Sequence, residues 1–186
     1  MAYLMRVIIV GDNNSGKEMF LEKYLGKKRQ EIDRRTIGAE FGLIEININE
    51  QIVKLQFWEL TDEYQSPMDH NTLYYGALGG IIVFDVTKRE TFDNLENQTK
   101  EIWEKNGKGV IPLVIFGKNT ENRERFSNSV TKEEGKKMAS RISKKAMKKG
   151  YEIPYFEISI KTGENIVTGF KFLAKTYISY VDSIKP

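Results

Sequence analysis

The sequence predicts a three-layer α/β protein with a mostly parallel sheet and one antiparallel edge strand. A β-branched apolar run, 4–10, leads through a glycine-bounded loop into an apolar helical pattern at 19–25. Two further continuous apolar runs, 79–85 and 111–117, are typical of buried parallel strands. Two alternating segments, 41–48 and 52–58, are joined by turn-forming residues and predict an antiparallel hairpin.

The remaining elements follow in order. The polar stretch 27–35 has no periodicity and predicts a loop. Three segments carry helical patterns: 91–105, 131–149 and 165–180. Thr131 is suited to cap the second of these helices, and Gly150 is suited to end it. With a short last strand at 155–158, we expect six strands and about five helices in a single domain, 1–186.

Composition narrows the class of protein. The chain has 186 residues, 40% hydrophobic and 30% charged, with a net charge of +3, which is ordinary for a globular protein. The absence of cysteine excludes disulfides, thiolate metal sites and a cysteine nucleophile. No apolar run approaches the ~20 residues that span a bilayer. Because residues 1–3 run straight into the first predicted strand, we expect no signal peptide. We expect a cytoplasmic protein, either free or peripheral to a membrane.

The loop 11–18 carries the clearest chemistry. Its pattern, G-x-x-x-x-G-K between a strand and a helix, wraps backbone N–H groups around a phosphate. The helix N-terminus adds positive potential, and Lys17 is placed to reach the terminal phosphates. Such loops close with Ser or Thr, whose hydroxyl binds Mg²⁺, whereas this one closes with Glu18.

Six segments in order resemble a small GTPase of the Ras superfamily, closest to the Rab and Ran branches. They are GDNNSGKE (11–18), TIGAEF (36–41), KLQFWELTDEY (54–64), LYYGALGGIIVFDVTKRETFDNL (73–95), VIFGKNTE (114–121) and EISIKTGENI (157–166). The resemblance implies the P-loop small-GTPase fold, with GTP or GDP and Mg²⁺ as ligands.

The resemblance also implies a set of nucleotide-binding residues. Lys17 matches the phosphate-binding lysine, and Thr36 matches the threonine that contacts Mg²⁺ and the γ-phosphate. Ser159 and Lys161 match the segment beside the base, where Ile160 contributes only a backbone N–H. The full set is Gly11, Asn13, Asn14, Ser15, Gly16, Lys17, Glu18, Thr36, Asp62, Asn119, Glu121, Ser159, Ile160 and Lys161.

Four acidic residues depart from the family pattern. Besides Glu18, Glu59 replaces the aspartate of D-x-x-G, Asp62 replaces its glycine, and Glu63 replaces the catalytic glutamine. Two unit charges ~4 Å apart repel by ~4 kcal/mol at an effective dielectric constant of ~20, and an ionised glutamate cannot donate a hydrogen bond as a glutamine can. Because positioning and electrostatics supply most phosphoryl-transfer catalysis, we expect slow or absent hydrolysis.

Glu18 leaves three possibilities for the metal. Its carboxylate is a hard oxygen donor that could bind Mg²⁺ directly. It could instead crowd the β-phosphate and impair metal binding, which is the arrangement we favour. In a third arrangement Glu18 turns outward as an acidic residue in the first helical turn, and the metal again lacks a ligand.

Base recognition is altered as well. The family's N-K-x-D appears as Lys118-Asn119-Thr120-Glu121. Glu121 can accept from the N1–H and amino groups of guanine, although its extra methylene displaces the carboxylate. Lys118 stands where an asparagine ties the base loop to the phosphate loop, so we expect that tie to be weakened. A one-residue shift would instead use Asn119 and Asn122, with less preference for guanine.

Two surfaces are candidates for partners. Phe41 and Trp58 match two members of an aromatic triad that Rab-like proteins present to effectors, and Leu73 falls at the third position. Packing of the hairpin onto the sheet would explain Phe41 and Trp58 equally well. The basic segment 132–149 is usually a solvated helix face, and an anionic membrane is the sharper alternative. We expect no nucleic-acid binding and, because the chain ends without cysteine, no prenyl anchor.

The sequence therefore predicts a divergent small GTPase domain that binds guanine nucleotide and serves as a switch or scaffold for a protein partner. One alternative is an active but slow GTPase in which Glu18 and Glu63 work with altered Mg²⁺ geometry. The other is an interaction module that binds no nucleotide.

Overall fold

A computed structural model describes residues 2–17, 39–60, 70–146 and 150–184, with the backbone alone at 39–41, 60, 70 and 71. The strands are β1 (Ala2–Val10), β2 (Ala39–Ile48), β3 (Gln51–Leu60), β4 (Gly79–Asp85), β5 (Leu113–Lys118) and β6 (Tyr155–Glu157). The helices within these ranges are α1 (His70–Tyr74), α2 (Arg89–Asp93), α3 (Leu95–Lys105), α4 (Lys132–Ala146) and α5 (Ile166–Ser183), with a 3₁₀ helix at Thr120–Arg125. The helix predicted at 19–25 and the loop predicted at 27–35 lie outside the described residues.

The six strands form one mixed sheet, which confirms the predicted fold class. Their order is β2-β3-β1-β4-β5-β6. The hairpin β2–β3 is antiparallel and places Ile48 opposite Gln51, whereas every other pairing is parallel. Since β4 and β5 are covered on both faces, their residues form the continuous apolar runs seen in the sequence.

Helices cover both faces of the sheet and form two cores. On one face, α5 packs Phe170 against Phe57, with ring centroids 5.0 Å apart. On the other face, α1, α3 and α4 enclose Phe84, whose ring stacks 5.9 Å from that of Tyr155. The long parallel β1 alternates between these cores because successive side chains point to opposite faces.

Two predicted boundaries needed correction. The helix predicted over 91–105 is divided at Asn94 into the two helices α2 and α3. The side-chain amide of Asn94 donates a hydrogen bond to Asp12 of the phosphate loop. The strand predicted from 111 begins at Leu113, after a proline that has no N–H to pair. By contrast, the N-terminal cap of α4 is confirmed, because Thr131 and Glu134 exchange backbone-to-side-chain hydrogen bonds in a capping box.

Candidate nucleotide site

The predicted site residues meet where the parallel strands end. The loop 11–17 follows β1, Asp85 ends β4, Lys118 ends β5, and residues 159–161 follow β6. Carboxyl ends of parallel strands share one edge of a sheet, and ligands of such folds bind there. The topology therefore brings together four parts of the chain that are far apart in sequence.

The phosphate loop is closed by contacts of its own. The Ser15 N–H donates to the Asp12 carbonyl at 2.7 Å, and Gly16 follows with a φ of +72°, which favours glycine. Lys17 is only 2% exposed, and its ammonium donates to the Gly11 carbonyl at 2.9 Å. The charge of Lys17 thus lies inside the loop, while Asn13 and Asn14 are exposed at its tip.

The Asp12 side chain fastens this loop to the helical layer. Its Oδ1 accepts hydrogen bonds from the amides of Asn94 and Gln98, both at 2.7 Å. A cavity of about 570 Å³ opens on this side of the loop and is lined by Lys17 and by residues of α2 and α3. The base-side residues 119–121 and 159–161 do not line it.

Asp85 connects β4 to the base loop. Its Oδ2 accepts from the Lys118 ammonium at 3.0 Å and from the Asn119 amide at 2.7 Å, and its Oδ1 accepts from the N–H and hydroxyl of Thr87. Burial raises the pKa of Asp85, but the hydrogen bonds from Thr87 and Lys118 and the charge of Lys118 outweigh burial and hold that pKa below its ordinary value. The carboxylate of Asp85 is therefore ionised, and both of its oxygens accept hydrogen bonds.

Lys118 also reaches the phosphate loop, which revises the expectation that the tie between the two loops is weakened. A Cβ added at Gly16 would lie 2.5 Å from Cε and 2.7 Å from Nζ of Lys118. The lysine stem therefore packs directly on the glycine backbone. A buried ion pair with Asp85 holds the lysine there, where the family pattern has an asparagine. No local pattern indicates this contact, because Asp85 ends an apolar strand and is 33 positions away from Lys118 in the chain.

The two base-side segments are held side by side. Glu121 is exposed in the 3₁₀ helix that follows Asn119, whose backbone is left-handed with a φ of 64°. The Arg123 guanidinium pairs with the Glu157 carboxylate at the end of β6. Beyond β6, Ser159 is partly exposed and accepts from the Thr162 N–H, Ile160 packs against the core, and Lys161 is exposed. The amide of Asn119 donates to Asp85. The shifted alternative, in which Asn119 takes the place of the family's asparagine and Asn122 is the acceptor, stays a prediction.

Of the four acidic residues that depart from the family pattern, Glu59 is the one that lies within the described residues. Glu59 is 1% exposed near the end of β3, in register with Ile9 of β1. Glu18, Thr36, Asp62 and Glu63 lie outside the described residues. Within the described ranges, no group of three or more acidic or histidine side chains is arranged to hold a metal ion. The sequence-based predictions for Mg²⁺ therefore stay predictions.

A model of the Ras family matches residues 6–179. The chain belongs to the Ras family. Members of this family are small GTPase-like domains that bind GTP or GDP with Mg²⁺ and interact with effectors and regulators.

The phosphate loop of this Ras-family domain fits a phosphate group. The buried ammonium of Lys17 donates to the Gly11 carbonyl, and a phosphate oxygen would form a stronger, charge-assisted bond with this ammonium. The backbone of residues 13–17 would supply N–H donors, and Glu121 with residues 159–161 would face the base. A bound Mg²⁺ would neutralise charge on the β- and γ-phosphates, and its predicted protein ligands, Glu18 and Thr36, lie outside the described residues.

The hairpin surface of the Ras-family domain differs from the predicted triad at one position. Trp58 is half-buried, with the Arg6 guanidinium 4.2 Å from its ring centroid, and Arg6 donates to the Leu73 carbonyl at 2.8 Å. Leu73 is 3% exposed because α1 turns it into the core, so it does not belong to an exposed surface. Tyr75, 66% exposed, is the outward aromatic here, and the side chain of Phe41 is outside the description. Sequence reasoning missed Arg6 and Tyr75.

The basic helix α4 is partly neutralised. Arg141 and Lys145 both pair with Glu96 of α3, at 2.9 and 2.8 Å. Lys136 and Lys144 are exposed on another side of the helix. None of the described helices is both long and apolar enough to cross a bilayer.

Proposed function

We propose that this Ras-family domain binds guanine nucleotide, hydrolyses it slowly or not at all, and acts as a Rab-like switch or scaffold for a protein partner in the cytoplasm. The observation that carries the proposal is the ammonium of Lys17, buried inside a closed phosphate loop. An ammonium in this position makes stronger, charge-assisted hydrogen bonds to a phosphate than to a neutral carbonyl, and the pattern G-x-x-x-x-G-K is typical of loops that bind phosphate.

The expected weakness in hydrolysis rests on charge. A buried glutamate at position 59 already brings one acidic side chain to the sheet edge beside β1. The side-chain carboxylate of Glu63 has no N–H to donate to the attacking water or to the γ-phosphate, as the amide of a glutamine has. Glu18 replaces a neutral hydroxyl with a carboxylate. Each change removes a donor or adds repulsion where catalysis depends on electrostatic stabilisation.

Guanine is the base favoured by this site. Glu121 supplies two acceptor oxygens, which match the N1–H and amino donors of guanine but not the N1 acceptor of adenine. The Arg123–Glu157 ion pair holds the loop of Glu121 beside the loop of Ser159 and Lys161. A preformed arrangement of this kind reduces the ordering that binding must bring about.

The test is nucleotide binding by the purified chain. We expect fluorescent GDP to bind and to be displaced by GTP more readily than by ATP, and Lys17→Ala to abolish binding. Lys100→Ala, which removes an exposed lysine from α3, is the matched control and should bind as the wild type does. Equal loss in both variants, or equal displacement by ATP, would contradict the proposal.

Hydrolysis is tested by phosphate release with and without Mg²⁺. Glu18→Ser with Glu63→Gln should tighten Mg²⁺–GTP binding and raise turnover, because it removes two carboxylates and restores a donor. No change in either quantity would count against the electrostatic account. Strong Mg²⁺-dependent turnover by the wild type, abolished by Lys17→Ala, would instead favour the active GTPase with altered metal geometry.

A second candidate is an interaction module that binds no nucleotide. It is favoured by one observation: protein groups already support the loop, with Lys17 bonded to Gly11 and Lys118 packed on Gly16. In that case the purified protein would carry no nucleotide. GTP, GDP and ATP would then leave its melting temperature unchanged.

A further inference from the structure

A groove of about 610 Å³ lies between helix α4 and the extended segment 150–154 that leads into β6. It is lined by one side of α4, from Lys136 to Lys144, and by the aromatic ring of Tyr155. No residue of the phosphate loop or of the base-side loops lines it. The groove is therefore separate from the nucleotide site.

The walls of the groove are fixed by hydrogen bonds and by close packing. The Ser143 hydroxyl accepts from the Ile153 N–H at 2.9 Å and donates to the Ile153 carbonyl at 3.3 Å. Gly135 lets the ring of Tyr155 lie under the helix, since a Cβ at Gly135 would come within 2.4 Å of that ring. The groove is thus formed before any partner arrives, which lowers the cost of binding.

The floor and the rim of the groove differ in chemistry. Ala139, Ile153 and the ring of Tyr155 make an apolar floor. Lys136 and Lys144 stand at the rim, one turn of α4 to each side of the exposed Ser140. A site of this kind accepts an apolar side chain between two negative charges.

The two lysines at the rim, Lys136 and Lys144, differ from their neighbours on α4 in how their charges are paired. Arg141 and Lys145 share the carboxylate of Glu96 on the other side of α4. Lys136 and Lys144 form no ion pair with any residue that the structure describes. Among the described residues that line the groove, Glu152 is the single acidic one, against the two lysines Lys136 and Lys144, so this part of the rim carries a net positive charge.

We propose that this groove binds an acidic peptide segment of a partner protein, in which an aliphatic or aromatic side chain lies between aspartate or glutamate residues. The apolar side chain would occupy the floor, and the carboxylates would pair with Lys136 and Lys144. An anionic membrane fits less well, because a flat lipid surface cannot fill a concave groove. The proposal is independent of nucleotide binding.

The experiment is a selection of random 12-residue peptides displayed on phage, using the whole chain as target. We expect the recovered peptides to share one apolar residue flanked by acids. Fluorescence polarisation of a recovered peptide should show binding about tenfold weaker to Lys136→Glu with Lys144→Glu, because each substitution replaces attraction by repulsion. Lys132→Glu with Lys137→Glu makes the same charge change at exposed α4 positions that do not line the groove, and it should bind within twofold of the wild type.

A second variant tests shape rather than charge. Ser140→Trp starts from an exposed position, so the fold should tolerate it, and the indole would occupy the groove and abolish binding. Recovery of no peptide above background, recovery of peptides without acids, or equal losses in the two lysine pairs would each overturn the proposal. Binding to phosphatidylserine vesicles that depends on Lys136 and Lys144, with no peptide recovered, would replace it with a membrane site.

Discussion

Removing the charge of Lys118 should destabilise this domain far more than removing the charge of an ordinary surface lysine. Lys118 lies 3.0 Å from the Asp85 carboxylate, and the two side chains are 8% and 2% exposed. Lys118→Met keeps most of the stem that packs on Gly16 and removes only the ammonium. The substitution thus leaves a buried carboxylate without its cation.

Breaking a buried ion pair from one side costs about 3–5 kcal/mol, because the remaining charge stays desolvated. Thr87 and Asn119 still donate to Asp85, so we expect the lower end, about 3 kcal/mol. For a chain of this length, 1 kcal/mol corresponds to about 2–4 °C in melting temperature. The expected loss is therefore about 6–12 °C.

The assay is thermal and urea unfolding followed by circular dichroism. Lys105→Met is the matched control, because Lys105 pairs with Glu101 at the surface, where both side chains are 32–40% exposed and such pairs contribute about 0–1 kcal/mol. Adding Asp85→Asn to Lys118→Met should cost less than the sum of the single changes, because the buried carboxylate is then gone. A loss below about 1 kcal/mol for Lys118→Met, equal to the control, would refute the reasoning.

Three further predictions concern other parts of the molecule. Free GDP at 100 times its dissociation constant should stabilise the wild type by about 2.7 kcal/mol and should leave Lys17→Ala unchanged in a thermal-shift assay; an equal shift in both would argue against the phosphate loop. The hydrogen bonds from Arg89, and then those from Thr131, lower the pKa of Glu134 from 4.5 to about 2, so its stabilising contribution is complete above pH 4.5 and is lost as the pH falls toward 2. Glu134→Gln should accordingly lower the melting temperature at pH 7 and make progressively less difference below pH 4.5, whereas a constant difference would contradict this. Gly135→Ala should destabilise by about 1–3 kcal/mol in urea unfolding, because the clash with the Tyr155 ring outweighs the gain of about 1 kcal/mol in helix propensity; a stabilised variant would contradict it.

Much of the fold follows from local patterns in the chain. The continuous apolar runs of β4 and β5 and the alternation of β2 and β3 each predicted a strand of the correct type. Thr131 caps its helix as predicted, and Glu134, three positions later, completes a capping box. Where a helix is too short to show a period, as in α1, the pattern could not say whether Leu73 or Tyr75 faces outward, and the exposed residue is Tyr75.

The sequence by itself determined the sheet, the phosphate loop and the position of Lys17, because each depends on the order and spacing of neighbouring residues. Only the tertiary structure decided how the loops are tied together. Asp85 and Lys118 are separated by 33 positions in the chain, and their buried ion pair exists because parallel strands β4 and β5 end side by side. The groove beside α4 likewise depends on Ser143 meeting Ile153. Such contacts are set by how the elements pack in space, which no local pattern in the sequence records.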